Sequence, residues 1–203
     1  MKTKGVTLIE LLVVIVVMGI ITAFAVIQVD HILENVRRAG IRNEVETIED
    51  AARFYTIDVG ARPYGTMSGA GTCESWNEDS YNVFVLGERN GTHIDGWGGP
   101  YLDVWPESTP IGGCYVYRSY NVGSQSWARS NWKMYTDDTT LGTYAPTDKD
   151  IEIVMIRFYP LNDADAITKS HEVAEMLLDS VDEIQVIYVP GQAVVGYYIL
   201  PRS

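Results

Sequence analysis

The chain has 203 residues, of which 46% are hydrophobic and 21% are charged, a composition typical of a folded protein with a hydrophobic core. Its formal net charge at pH 7 is −12. Because so acidic a surface repels phosphate groups, the charge balance argues against nucleic-acid binding by the chain as a whole. A local basic patch is left open by the clustering of Arg37, Arg38 and Arg42 in the sequence.

A long apolar segment begins close to the N-terminus. Between Val6 and Val29 the single charged residue is Glu10. A helix over these positions would be about 36 Å long, which is enough to cross a bilayer core of about 30 Å. Lys2 and Lys4 precede the segment, so the N-terminus is predicted to lie on the cytoplasmic side of the membrane. A carboxylate disfavours insertion into a bilayer, and Glu10 is therefore expected to have a partner or a function.

The residues around Glu10 resemble a known signal. A short basic leader ends in Gly5, the next five residues are Val-Thr-Leu-Ile-Glu, and unbroken hydrophobic residues follow. This pattern resembles the class III signal of type IV pilins and type II secretion pseudopilins. The resemblance implies that a prepilin peptidase cleaves after Gly5, leaving a leader of residues 1–5, and that Val6 becomes the N-methylated terminus.

The same resemblance gives Glu10 a role in assembly. Its carboxylate would pair with the ammonium group of Val6 in a neighbouring subunit, inside a bundle of apolar helices where neither charge is stable alone. The chain is then a structural subunit with no enzymatic activity. Its partners would be identical or related pilin subunits, the inner-membrane assembly machinery and, before assembly, membrane lipid.

Two simpler interpretations of the N-terminus stay open. Ala23-Phe24-Ala25 forms an A-x-A site after the apolar stretch, as in an ordinary secretory signal. A plain single-pass anchor also explains the hydrophobicity, but it does not explain Gly5 or Glu10.

The helix pattern continues past the membrane segment. The first proline is Pro63. In residues 30–56, charged residues lie between apolar residues that recur at helical spacing, which predicts that the helix continues to about residue 55 as an amphipathic helix. Downstream residues must cover the apolar stripe. Its members recur at steps of three or four residues: Val29, Ile32, Leu33, Val36, Ile41, Val45, Ile48, Ala52 and Tyr55.

Residues 57–113 are rich in Gly, Pro, Asn, Asp and aromatic residues, which predicts a long connecting region with short elements such as residues 81–86. Within it, the sequence Asp-Gly-Trp-Gly-Gly-Pro-Tyr at 95–101 resembles the D-P-W-G-x-P-Y signature of major pseudopilins. We expect Trp97 and Tyr101 to pack this loop onto the long helix, and Gly98 and Gly99 to permit close backbone approach.

Residues 114–203 are predicted to be rich in β-strands, over 114–122, 151–159, 184–189 and 194–200. Pro190-Gly191 suits a type II turn between the last two strands. A helix is predicted over 165–178, with Asn162 or Asp163 as its cap. The fold class is therefore α+β and pilin-like: the second half of a long N-terminal helix packs on an antiparallel sheet, in a head formed by residues 57–203. The extra C-terminal helix and hairpin extend beyond the usual small pseudopilin head.

Cys73 and Cys114 are the only cysteines. In an oxidising compartment they predict one disulfide bond, with two free buried thiols as the alternative.

Bound Ca²⁺ is a further hypothesis. The resemblance to major pseudopilins points to oxygen ligands after the first sheet strand, for which this chain offers Asp148 and Asp150, with Asp137 and Asp138 as substitutes. The alternative is that these loop aspartates are simply solvated. The sequence contains no H-E-x-x-H, G-x-S-x-G, P-loop or paired-cysteine zinc motif, and His31, His93 and His171 are scattered along it.

These observations predict a structural subunit of a type IV pilus or a type II secretion pseudopilus. It would reside first in the cytoplasmic membrane and then in an extracellular pilus or a periplasmic pseudopilus. Two alternatives remain: a minor or tip pilin that acts as an adhesin, and a membrane-anchored domain that never polymerises.

Overall fold

The structure, a computed structural model, describes residues 5–63, 73, 81–89, 91–121, 133–134, 150–178 and 186–199. At residues 24–28, 30–31, 120–121, 133–134, 150–151 and 198–199 it describes the backbone alone. The chain forms two compact units, Met1–Ala39 and Gly40–Ser203, and each is considered by itself below.

Helix α1 spans Leu8–Val59. No proline interrupts these residues, and the helix ends where Gly60 adopts the left-handed conformation, with φ of 70°. The N–H of Gly60 donates a hydrogen bond of 3.0 Å to the carbonyl of Thr56, which closes the last turn. The helix therefore runs past the predicted end near residue 55, and the left-handed residue that follows it is Gly60.

In the first unit, the described side chains of α1 that belong to the apolar segment are exposed. Ile32, Leu33 and Val36 of the predicted stripe are also exposed. Across the part of the chain that the structure describes, no helix has a stretch long and apolar enough to cross a membrane.

The second unit contains a five-stranded antiparallel sheet. Its strands are β3 (Cys114–Asn121), β4 (Lys133–Met134), β5 (Asp150–Arg157), β6 (Val186–Tyr188) and β7 (Val194–Ile199), and they lie in the order β3-β5-β7-β6-β4. A separate two-stranded sheet pairs β1 (Glu88–Arg89) with β2 (Thr92–His93). The register places Cys114 opposite Arg157 and Val186 opposite Tyr197.

The two faces of the large sheet bury different side chains, because successive residues of a strand point to opposite sides. Tyr115 and Tyr117 of β3 belong to the core on the α1 side. Cys114 and Val116 belong to a second cluster on the other side. From α1 the main core receives Ile41, Val45, Ile48, Ala51, Ala52 and Tyr55, so the C-terminal part of the predicted stripe is covered as expected.

Helix α2 spans Ala164–Leu178 and packs Val173, Ala174 and Leu177 into the main core. The Oδ2 atom of Asp163 accepts hydrogen bonds from the N–H groups of Asp165 and Ala166, at 3.1 Å each. Asp163 is therefore the N-cap, one of the two predicted residues.

The hairpin between β6 and β7 has the predicted turn. Gly191 follows Pro190 with φ of 73°, and the N–H of Gln192 donates to the carbonyl of Val189 at 3.1 Å. This is the geometry of a type II turn. With α1, the antiparallel sheet, α2 and this hairpin, the predicted α+β class is confirmed, and the arrangement is consistent with a pilin-like fold.

The connecting region is held against the end of α1 by the loop over residues 95–101. The hydroxyl of Tyr101 donates to Oδ2 of Asp58 at 3.0 Å and accepts a hydrogen bond from the N–H of Gly98. A Cβ atom on Gly98 would lie 2.7 Å from that same Asp58 oxygen, so glycine permits the approach. The expectation that Tyr101 packs the loop onto the helix is confirmed.

Trp97 packs against a different element of the same region. A short π-helix, Asn82–Leu86, ends at Gly87, and the indole N–H of Trp97 donates to the carbonyl of Val83 at 3.2 Å. The indole ring lies directly over Gly87, since a Cβ atom there would be 2.4 Å from Trp97 Cδ2. Trp97 thus joins the loop to the π-helix.

Carboxylates of α1 lie beside buried tyrosines of the sheet. Burial raises the pKa of Tyr115 well above its ordinary value, and the nearby Glu44 carboxylate raises it further. Burial, with the charges of Glu49 and Glu46, raises the pKa of Tyr197 to about 12. These phenols therefore stay neutral at physiological pH and add no charge to an acidic helix face.

We expect the Cys73–Cys114 disulfide, which joins residues 41 positions apart, to contribute about 4 kcal/mol to the free energy of unfolding, because it restricts the unfolded chain. Replacing both cysteines by alanine should lower the urea midpoint of the full chain in detergent. Adding a reductant should lower the midpoint of the native chain and leave that of the double variant unchanged. Equal midpoints for the native and double-alanine chains would contradict a stabilising disulfide.

Gly87→Ala tests the packing of Trp97. Gly87 has φ of 69°, so alanine incurs left-handed strain of about 1–2 kcal/mol, and displacing the indole ring adds about 1–3 kcal/mol. The matched control is Gly191→Ala, at φ of 73° with no atom within 4 Å, which incurs the strain alone. Urea unfolding followed by tryptophan fluorescence should show the larger destabilisation for Gly87→Ala, and equal losses would refute the close contact.

Candidate processing and assembly site

The residues before α1 form an exposed, non-helical segment. Gly5, Val6 and Thr7 precede the first helical residue, and no other described part of the chain lies within 4 Å of a Cβ atom built on Gly5. Val6 is 76% exposed. A peptidase that must bind an extended backbone therefore meets no steric obstacle from the described residues at the Gly5–Val6 bond.

Thr7 and Glu10 cap the first turn of α1. The Oε2 atom of Glu10 accepts a hydrogen bond of 2.8 Å from the Thr7 N–H and one of 2.7 Å from the Thr7 hydroxyl. The N–H of Glu10 donates in return to Thr7 Oγ1 at 3.4 Å. This reciprocal pattern is a capping box, which satisfies backbone groups that a helix start otherwise leaves without partners.

Sequence analysis missed this contact, although the signal for it is present. Thr and Glu three residues apart, directly before an apolar run, are the spacing of a capping box. The structure shows that the same carboxylate has a local partner at the start of its own helix.

The capping box also fixes where the carboxylate lies. Glu10 is in the first turn, where the unpaired N–H groups and the helix dipole favour a negative charge. Its oxygen is hydrogen-bonded to the N–H of Thr7, the residue next to Val6. A chain cleaved after Gly5 would therefore present an ammonium group and a carboxylate at the same helix end.

The two predicted cysteines are brought together: Cys73 and Cys114 form a disulfide bond with a Cα–Cα distance of 5.6 Å. Cys114 begins β3 and is completely buried, so the bond ties the connecting region to the outer face of the sheet. Of the two alternatives, the structure supports pairing over free thiols.

The side chains of the proposed calcium ligands are not among those that the structure describes. Asp137, Asp138 and Asp148 lie outside the described residues, and Asp150 begins β5, where the backbone alone is described. No group of three or more His, Cys, Asp or Glu side chains within the described ranges could hold a metal ion. The calcium hypothesis therefore stays a prediction.

The described histidines make ordinary aromatic contacts. The ring of His93 meets the Trp97 ring edge-to-face, with centroids 6.3 Å apart. The ring of His171 on α2 meets Tyr188 of β6 in the same way, at 5.7 Å. Both histidines are exposed.

Comparison with known proteins identifies the N-terminal segment. Residues 1–26 match the family model for the prokaryotic N-terminal methylation motif. No curated protein and no solved structure gives a significant match to the chain.

The matched segment contains the cleavage, methylation and assembly positions predicted from the sequence, namely Gly5, Val6 and Glu10. Such a motif points to a structural protein that a prepilin peptidase processes and that assembles with pilin subunits. It also indicates a membrane-anchored precursor whose final location is extracellular or periplasmic. The N-terminus of this chain is thus a class III signal of the kind that type IV pilins and pseudopilins carry.

Proposed function

We propose that the chain is a structural subunit of a type IV pilus or a type II secretion pseudopilus and that it assembles through α1 after cleavage behind Gly5. The observation that carries this proposal is the methylation motif at residues 1–26, within which the long helix Leu8–Val59 begins. The exposed apolar side chains at the start of that helix need a partner, and copies of the same segment would provide one.

Before assembly, residues 6–29 would anchor the subunit in the cytoplasmic membrane with its N-terminus inside. The composition of the segment supports this role, because Glu10 is its single charged residue. The capping box lowers the cost of that charge, since Thr7 supplies two hydrogen bonds to the carboxylate near the end of the segment.

During assembly, the carboxylate of Glu10 would pair with the ammonium group of Val6 in a neighbouring subunit. Two opposite charges in a low-dielectric bundle of helices attract each other strongly, whereas either charge alone is very costly. Such a pair would fix the axial position of each subunit against the next. A buried polar group that sets register is the best-attested use of this kind of interaction.

Within one chain, Thr7 competes with the neighbouring ammonium group for the carboxylate of Glu10. Its N–H and hydroxyl already bond to Glu10 within one chain, so a neighbouring ammonium must add to these bonds or replace them. An ammonium carries a full charge and the threonine groups do not. Once water is excluded, the ion pair between subunits is therefore stronger than the hydrogen bonds from Thr7 to Glu10.

The N-terminus of the mature protein is the first test. We expect mass spectrometry of the purified protein to find residues 1–5 removed and Val6 methylated. In cells that lack prepilin peptidase, the same measurement should find the unprocessed chain. A mature start at Val26 would instead indicate ordinary secretion, and an intact Met1 in normal cells would indicate a simple anchor; either result refutes the proposal.

Substitutions of Glu10 separate its charge from its capping role. Glu10→Gln keeps an acceptor for Thr7 but removes the charge, whereas Glu10→Ala removes both. We expect both variants to insert and be cleaved, and both to lower filament yield at least about a hundredfold. Leaving a buried ammonium without its partner costs about 3–5 kcal/mol, and each 1.4 kcal/mol is a factor of ten.

The yield of sheared filaments, measured against total cleaved subunit, reports the result. If Glu10→Gln assembles normally while Glu10→Ala does not, the residue acts as a helix cap and the charge-pair mechanism is wrong. Normal yield from both variants would remove any role for Glu10 in assembly.

A further inference from the structure

Helix α1 carries an exposed patch that combines apolar side chains with a positive charge. Ile32, Leu33 and Val36 expose between 47% and 63% of their surface, and Arg37 is also exposed. Residues three or four positions apart on a helix are neighbours, so Leu33 lies beside both Val36 and Arg37. We call these four residues the cationic patch.

A second patch on the same helix combines apolar side chains with a negative charge. Phe54 and Ile57 expose 60% and 75% of their surface, and Asp50 is exposed one turn before Phe54. The neighbouring Ala51, Ala52 and Tyr55 are buried in the core, so these three residues lie on the opposite side of the helix. We call Asp50, Phe54 and Ile57 the anionic patch.

The charged residue of each patch, Arg37 or Asp50, is available to a partner. Ion pairs within α1 join Arg38 to Glu34, Arg42 to Glu46, and Arg53 to Glu49. Within the residues that the structure describes, neither Arg37 nor Asp50 takes part in an ion pair.

We propose that the cationic patch of one copy packs against the anionic patch of a second copy. This inference rests on the proposed function and adds to it a specific contact between subunits. The apolar parts, Val36 on one side and Phe54 and Ile57 on the other, exclude water from each other, and Arg37 pairs with Asp50. Complementary charge of this kind selects the partner and fixes its register.

The two patches differ, so one copy can use one patch to bind the next copy and the other to bind the previous copy. A contact of this kind is heterologous. Heterologous contacts that do not close into a ring generate open helical filaments.

Other occupants explain only half of the observations. An anionic lipid surface would attract Arg37, but it would repel Asp50 and leave Phe54 and Ile57 exposed to water. A second copy of this chain satisfies both charges and both apolar groups, since each chain provides the two complementary patches.

Charge reversal tests the pairing in cells that make the native filament. We expect Arg37→Glu and Asp50→Arg each to lower filament yield about tenfold, since each places like charges opposite one another. The double variant exchanges the two charges and should restore the yield to within about threefold of the native chain. Glu172→Arg, an exposed residue of α2 outside both patches, is the matched control and should leave the yield unchanged.

Each variant is also checked for cleavage after Gly5 and for its unfolding midpoint, so that loss of processing or of folding is recognised. If the single variants are processed, folded and assemble normally, the pairing is wrong. If the double variant yields no more filament than the single variants, the two charges do not meet and the pairing is again wrong.

Crosslinking provides a direct test of proximity. In filaments that contain Val36→Cys and Phe54→Cys on the same chain, a short bismaleimide should produce a ladder of covalent multimers. Each chain with only one of the two introduced cysteines should give monomers alone, and so should the pair Val36→Cys and Thr168→Cys, whose second site lies on α2. Absence of the ladder from the first pair would overturn the proposal.

The outcomes separate this inference from the function on which it rests. A native chain that keeps its leader and forms no filament removes both proposals. Native filaments with a methylated Val6, combined with charge variants that show no rescue, leave the function intact and remove the patch pairing alone.

Discussion

One negative charge in an otherwise uncharged apolar segment constrains the whole N-terminal region. Glu10 is hydrogen-bonded to Thr7 at the start of α1, so the isolated chain already meets part of the cost of this charge. Hydrogen bonds from a neutral threonine do not neutralise a carboxylate. Cleavage behind Gly5 would create the missing positive charge, at Val6, and would do so on every copy. We propose that a stack of copies satisfies these groups.

The second half of α1 contributes to the core of the head. The second half of α1 is amphipathic, and its buried side, including Ile41, Ile48 and Tyr55, is covered by the sheet and α2. The disulfide joins the connecting region to β3, and the hydrogen bond from Tyr101 to Asp58 joins the loop at 95–101 to the end of the helix. What stays exposed on this half is the opposite side, where Phe54 and Ile57 lie beside Asp50.

Local features of the structure followed from the sequence, and long-range ones did not. The absence of proline before Pro63, the Pro190-Gly191 turn and the Asp163 cap each depend on neighbouring residues, so they were predictable. The strand order depends on which segments meet in space, which periodicity does not record. The stripe from Val29 to Tyr55 was expected to be covered throughout, but Ile32, Leu33 and Val36 are exposed, because a spacing pattern cannot show where the covering residues end. The capping box was readable from Thr7 and Glu10 and was missed.

The central claim is that Glu10 of one subunit is paired with the terminal ammonium of another. Filaments grown from an equal mixture of subunits labelled with ¹³C at glutamate side chains and subunits labelled with ¹⁵N at valine would test it, because a dipolar coupling to the methylated Val6 nitrogen then arises only between different copies. Solid-state NMR should find the Glu10 carboxyl carbon about 4 Å from that nitrogen, the range of a direct ion pair. No such coupling in well-ordered filaments would contradict the account.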